Sequence, residues 1–202
     1  MEILAKLFGS AARVKIIRLF LFNPEVSFDV DDVMSRARVD RDDVWKELSL
    51  LERTGLVLRK PFFKRAEKKR VSGFVLNQEF LYLSGLRKLL IETVTANTDD
   101  FLKRFRALGK LRLVMVAGVF IQSVDSRADI LIVGEGLKRG PLETVIKGLE
   151  AEIGKELRYA YFETKDFVYR LNMFDKLVRD IIDYPHQILL DKLDMGNIIP
   201  RR

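Results

Sequence analysis

Residues 29–76 read DVDDVMSRARVDRDDVWKELSLLERTGLVLRKPFFKRAEKKRVSGFVL, and the punctuation of this stretch decides the fold of the first part of the chain. Asp29 stands where an N-cap belongs, before a stripe of Val30, Val33 and Met34 that predicts a brief helix ending near Ala37. After Arg38-Val39, Asp40 caps a further predicted helix that runs to about Thr54. Its apolar Val44, Leu48 and Leu51 recur at the i, i+4, i+7 spacing of one helix face, and Gly55 follows where a C-cap glycine is expected. Leu56–Arg59 and Val71–Leu76 are β-rich runs flanking a basic loop, so they predict a hairpin with a long tip.

Upstream, Ser10 is a good N-cap for a helix carrying Val14, Ile16, Ile17, Phe20 and Leu21, and Asn23-Pro24 ends it. Val26-Ser27-Phe28 is short and extended. The order is therefore helix, short strand, helix, helix, hairpin within residues 1–76. Together with that order, the stretch KLFGSAARVKIIRLFLFNPEVSFDVDDVMSRARVDRDDVWKELSLLERTGLVLRK (residues 6–60) resembles winged helix-turn-helix regulators of the ArsR/MarR-like type. Their "R-x-x-I-L-x-x-L" first helix is echoed by Arg13–Phe20, and their "L-x-x-L-x-x-x-G-L-V/I" ending by Leu48–Val57. The resemblance implies a DNA-binding domain whose third helix enters the major groove and whose hairpin is the wing.

Charge points the same way. Arg59–Arg70 holds seven cations and one anion, most of the chain's net +7. Such a cluster is an electrostatic footprint for a polyanion, or else a solvated charged loop. Lys64, Arg65, Lys68, Lys69 and Arg70 are expected to reach phosphates or the minor groove, and Lys60 the DNA backbone. On the third helix Arg41 and Lys46 are the expected base or phosphate contacts, and Trp45 is expected to pack. Asp40, Asp42 and Asp43 count against DNA there, because phosphates repel them.

Residues 77–108 read as a helical connector, with Leu83, Leu86, Leu89 and Leu90 in one stripe and Phe101, Leu102, Phe105 and Leu108 in another. Such a stripe is either core or a dimer surface, and Leu83/Leu86/Leu90 could serve a homodimer on a two-fold operator. Residues 109–202 alternate. Strands are expected at 111–120, 128–133, 157–162 and 186–190, with helices over 142–153, 165–173 (capped by Thr164) and 175–183 between them, which predicts a small α/β layer. The fold class is thus α/β (α+β), with two domains and a connector.

Val116–Gly134, VAGVFIQSVDSRADILIVG, resembles the signature of minimal nucleotidyltransferases. In that signature a glycine and serine cradle phosphates, and two carboxylates one residue apart on the adjacent strand hold Mg²⁺. Gly118 matches the glycine, while Val119 replaces the serine. Gln122 and Ser123 depart from the pattern, Ser126 matches, Arg127 occupies the first carboxylate position and Asp129 matches the second. On the next strand only Glu163, at its end, could stand for the third carboxylate. Gly118, Ser126, Arg127 and Asp129 thus form a relic of a nucleotide site. Asp129 itself is expected to be a structural carboxylate with Arg127 as a candidate partner. No catalysis, metal or cofactor is expected.

The rest of the composition excludes several chemistries. With no cysteine there is no disulfide framework, thiolate metal site or cysteine nucleophile, and with His186 as the single histidine no mechanism needs two imidazoles. No apolar run is long enough to span a membrane, and the start lacks a signal-peptide layout, so a cytoplasmic protein without a membrane partner is expected. The expected function is DNA-binding transcription regulation, with the second domain sensing a nucleotide, dimerising or binding a protein. The alternatives are a winged-helix protein-interaction module without DNA binding and an active nucleotidyltransferase of antitoxin type.

Overall fold

Ser10 opens the first long helix through its own side chain: its Oγ accepts from the Arg13 amide at 3.1 Å. The computed structural model describes residues 2–64, 67–91, 98–123 and 125–195, and within these the chain divides into two compact units. One comprises residues 1–93 with 147–156, and the other 94–146 with 157–202. Both mix helices with a small sheet.

In the first unit the helices are α1 (Glu2–Phe8), α2 (Ala11–Phe22), α3 (Val30–Ala37) and α4 (Arg41–Arg53). They are followed by the antiparallel strands β1 (Val57–Lys64) and β2 (Lys69–Leu76), and by α5 (Leu83–Ile91). Helix α3 is held by a reciprocal capping box between Asp29 and Asp32. Arg38, in the left-handed region at φ 50°, ends it and turns the chain toward α4. Val14, Ile17, Phe20, Val33, Leu48, Leu51, Val57, Phe74 and Leu90 share one buried cluster, and each such side chain is worth about 1.5–3 kcal/mol of burial. Phe28 pairs with Phe74 of β2 through two backbone hydrogen bonds, at 2.9 and 2.8 Å, and meets the Phe20 ring edge-on. Arg13 ties α2 to α4 by donating through Nε to the buried Glu47 at 2.7 Å, and its Nη1 also reaches the Phe8 carbonyl of α1.

Three details depart from expectation. The short helix α1 precedes Ser10, its Leu4 and Phe8 packed on the core. The hairpin strands run on into the basic segment, because cross-strand pairing continues as far as Lys64 and Lys69. The leucine stripe of α5 is divided: Leu90 is fully buried, Leu83 and Leu86 are partly buried against the same core, and Leu89 is 39% exposed.

Residues 147–156 complete this unit. The Arg18 guanidinium donates to the carbonyls of Leu90 at 2.8 Å and Glu152 at 3.1 Å, and Asn23 Nδ2 donates to the Gly154 carbonyl at 2.8 Å. Gly154 has φ +84°, and a Cβ there would stand 2.4 Å from the Leu19 amide nitrogen, so only glycine fits.

The second unit is built on a four-stranded sheet in the order β5-β4-β3-β6. Its strands are β3 (Lys110–Ala117), β4 (Ile130–Glu135), β5 (Tyr159–Glu163) and β6 (His186–Asp191). β3 is antiparallel to both neighbours, whereas β4 and β5 are parallel and joined through α7 (Arg139–Ile153), as a parallel pair requires. The remaining helices are α6 (Thr98–Phe105), α8 (Thr164–Asn172) and α9 (Lys176–Asp183). Leu113, Met115, Leu131 and Val133 meet Phe167, Leu171, Val178 and Ile181 on one side of the sheet. Val114, Val116, Ile130 and Ile132, which alternate with them, are buried as well. Cover on both faces explains why these strands read as continuous apolar runs. Among the described residues no helix is long and apolar enough to cross a membrane.

Candidate functional site

The hairpin β1–β2 concentrates cations, yet it does not leave them all free. Arg59 donates two hydrogen bonds to the Glu52 carboxylate, both at 2.9 Å, and its guanidinium lies 5.1 Å from the centre of the Phe74 ring. Lys64 is further committed. Its ammonium lies 2.7 Å from Asp29, 3.0 Å from Asp32 and 3.1 Å from Glu67. The Asp29 hydrogen bond above all, with Asp32 and Glu67 behind it, holds the Lys64 pKa above its ordinary value against the pull of burial. Burial pushes the Asp29 carboxyl up, but Lys64 and the Asp32 amide outweigh it and leave the pKa lowered. Lys69 pairs with Glu67 at 2.5 Å. Arg65 lies outside the described residues. That leaves Lys60, Lys68 and Arg70, all exposed and without a carboxylate partner among the described residues.

Lys64 thus neutralises the N-terminus of α3, where three carboxylates would otherwise crowd. Asp29 as an N-cap was visible in the sequence; that Asp32 completes a capping box and a lysine 35 residues after Asp29 covers it was not.

Helix α4 presents Arg41, Asp42, Asp43, Trp45 and Lys46 on its exposed side. Arg41 donates to Asp31 of α3 and is therefore engaged within the protein, whereas Lys46 is exposed without such a partner among the described residues. Trp45, expected to pack, is 42% exposed. Its neighbours Val44 and Leu48 take the core-facing positions of this helix, so the indole is left on the polar side.

In the second unit the structure brings together Gly118, Ser126 and Asp129 but not Arg127. After β3, Gly118–Phe120 forms a single tight turn with Gly118 at φ +50°, so the strand is shorter than its apolar run. The Gly118 amide donates to Ser126 Oγ at 3.0 Å, and the Val119 amide to Asp129 Oδ1 at 3.0 Å. Asp129 Oδ2 accepts from the Arg158 amide at 2.8 Å, with the Arg158 guanidinium at 3.4 Å. Ser126 and Asp129 are buried, Asp129 to 1% exposure. A Cβ on Gly118 would stand 2.0 Å from Asp129 Oδ1, so the turn and the carboxylate require glycine. Arg127 points elsewhere, its Nε 3.6 Å from Asp180 on α9. The expected Arg127–Asp129 pair is therefore replaced by Arg158–Asp129. Arg158 was not singled out, and no local signal marks it, since it sits 29 residues away on the approach to β5.

This geometry has a chemical consequence. The Val119 amide is taken by the protein's own carboxylate. Asp129 in turn accepts a backbone amide on each oxygen, with the Arg158 guanidinium beside Oδ2. Glu163 does not join it. The parallel register pairs Ile130 with Tyr159 and Gly134 with Glu163, which sets Asp129 five residues below Glu163, about 16 Å along the strand. Glu163 instead accepts from the Gly136 and Leu137 amides at 3.2 and 3.1 Å, while Thr164 begins α8 rather than capping it and donates to the Gly134 carbonyl. Among the described residues no three histidine, aspartate or glutamate side chains are grouped to hold a metal ion. His186 begins β6, its Nδ1 2.9 Å from the Tyr184 carbonyl.

No family model matches this chain, and no curated protein or solved structure matches it.

Proposed function

We propose that the first unit is a winged helix-turn-helix that binds double-stranded DNA through its basic wing, and that the protein is a cytoplasmic transcription regulator. In this reading α3 and α4 form the helix-turn-helix and β1–β2 the wing. The observation that carries it is the set of cations on one hairpin: Lys60, Lys68 and Arg70 stand exposed with no carboxylate partner among the described residues. Free cations are what release counterions from DNA; neutralised ones are not. Lys46 is the contact that α4 can add, and Arg41 contributes only if it leaves Asp31.

The second unit is, on this reading, a nucleotidyltransferase-like scaffold without transfer activity. The strand after Gly118 lies beside β3 and the next strand beside β4, the adjacency that the resemblance implies. The carboxylate pair and the open phosphate cradle are missing from it, so its role is sensing, partner binding or dimerisation. A homodimer belongs to the same proposal.

A second reading, a protein-interaction module, is favoured by one observation: Trp45 is exposed on α4 beside Asp42 and Asp43. Exposed tryptophan is a frequent anchor at protein interfaces, and acidic neighbours repel phosphates. Retention of sheared genomic DNA by the purified protein, at about 50 and 200 mM salt, separates the two. Binding that weakens steeply with salt supports DNA regulation. No retention at low salt refutes it and leaves the interaction module.

A further inference from the structure

The hairpin carries an aromatic ring that packing does not use. Phe62 is half-buried over Gly73, where a Cβ would stand 2.5 Å from its ring, so the glycine makes room for it. Phe63, one residue on, turns to the other face of the strand and is 56% exposed. The register sets Phe63 opposite Arg70 and Pro61 opposite Ser72, so these four side chains share a face. Closer to the unit, that same face carries Arg59, Phe74, Val57 and Leu76, of which the last three are buried. Beyond them it continues past the core, and its apolar character continues with it.

A surface that only collects phosphates has no use for a bare phenyl ring among cations. A partner that offers anionic charge outside and flat apolar surfaces within does. Stacked base pairs behind a phosphate backbone have that chemistry.

We propose that Phe63 is a wedge for duplex DNA: the wing lies over the minor groove, Arg70 on the Phe63 face and Lys68 at the tip meet phosphates on one side, Lys60 on the opposite face of the hairpin meets them on the other, and the Phe63 ring enters between adjacent base pairs and kinks the helix. This rests on the DNA-binding reading above and adds to it a mode of engagement. Apolar wedges of this kind unstack a step and bend the duplex, and the bend lets more of the protein touch the backbone. A wedge reads how easily a step opens, not base edges, so it favours sites that are easily unstacked.

The experiment measures anisotropy of a labelled duplex of about 24 base pairs, the same duplex with one central mismatch, and the corresponding single strand. A mismatch lowers the cost of unstacking, so the wild-type protein should bind the mismatched duplex roughly tenfold more tightly than the matched one. Phe63→Ala should abolish that preference and leave the salt slope unchanged, since no cation is removed. Phe63→Leu, which keeps an apolar wedge, should retain most of it and serves also as the control for folding. If wild-type protein binds both duplexes equally with a normal salt slope, the wedge is refuted while DNA binding stands. A preference that survives Phe63→Ala also overturns it, as does a single strand bound more tightly than the mismatched duplex. Absence of salt-dependent binding to any of the three overturns the wedge and the DNA-binding reading together.

Discussion

Replacing Asp129 with alanine strips a buried and a part-buried backbone amide of their acceptor: Val119 at 3.0 Å and Arg158 at 2.8 Å. A hydrogen bond to a charged acceptor contributes about 1.5–3 kcal/mol, so two give an upper limit of about 6 kcal/mol. The Arg158 guanidinium adds little, because its side chain is 57% exposed and its Nε lies 3.4 Å away. Incomplete additivity brings the expected loss to about 3–5 kcal/mol, a large part of the 5–15 kcal/mol that holds an ordinary domain together. Asp129→Asn should cost less, about 1–3 kcal/mol, since one oxygen remains and the new NH₂ faces an amide donor. Trp45 is the only tryptophan and lies in the first unit, which makes the assay selective. Under urea, circular dichroism should show a transition at lower denaturant for Asp129→Ala, while tryptophan fluorescence moves little. Hydrogen exchange at the Val119 and Arg158 amides should lose protection. Asp129→Asn that is as stable as wild type, or more so, would refute the reasoning. That outcome belongs to a carboxylate held in reserve for a cation, not to one spent on its own backbone.

Three further outcomes follow from the charges and the site. Lys60→Ala, Lys68→Ala and Arg70→Ala combined should lower the slope of log K against log salt by up to about 2.7, at roughly 0.9 per phosphate contact. Lys69→Ala alone should change it little, because Lys69 already serves Glu67. Lys64→Met should lower the stability of the first unit by about 1–2 kcal/mol at neutral pH, since one ammonium serves three carboxylates there. It should also flatten both limbs of the pH dependence measured by tryptophan fluorescence. The lowered Asp29 pKa stabilises above its unfolded value, about 3.9, and that contribution is lost as pH falls through the folded value. The raised Lys64 pKa stabilises fully below about 10.4 and is lost as pH rises through the folded value. Parallel pH curves for wild type and Lys64→Met would show that the cluster contributes nothing. Labelled nucleoside triphosphates with Mg²⁺ or Mn²⁺ should give no transfer product and no rise in melting temperature, because Asp129 is held by its own backbone amides and no carboxylate group to hold a metal stands beside it among the described residues. Transfer abolished by Asp129→Asn would restore the enzymatic alternative.

Much of the local structure was legible in the chain itself. Ser10 and Asp29 cap helices because an N-cap oxygen needs only an amide three residues on, and the apolar spacings of α2, α3 and α4 name their buried faces without knowledge of what covers them. The apolar runs of β3 and β4 likewise declare strands covered on both sides. Where each polar side chain finds its partner is a different kind of question. Lys64 meets Asp29 across 35 residues, Arg158 meets Asp129 across 29, and Asn23 meets Gly154 across 131, none of them within reach of a helical or strand repeat. These meetings decide which cations of the hairpin remain without a carboxylate partner among the described residues, what the Asp129 carboxylate is bound to, and why residues 147–156 count with the first unit. A local motif specifies backbone conformation over a few residues. The electrostatic state of a side chain depends on what the packed chain brings within about 3 Å of it, and only the tertiary structure sets that distance.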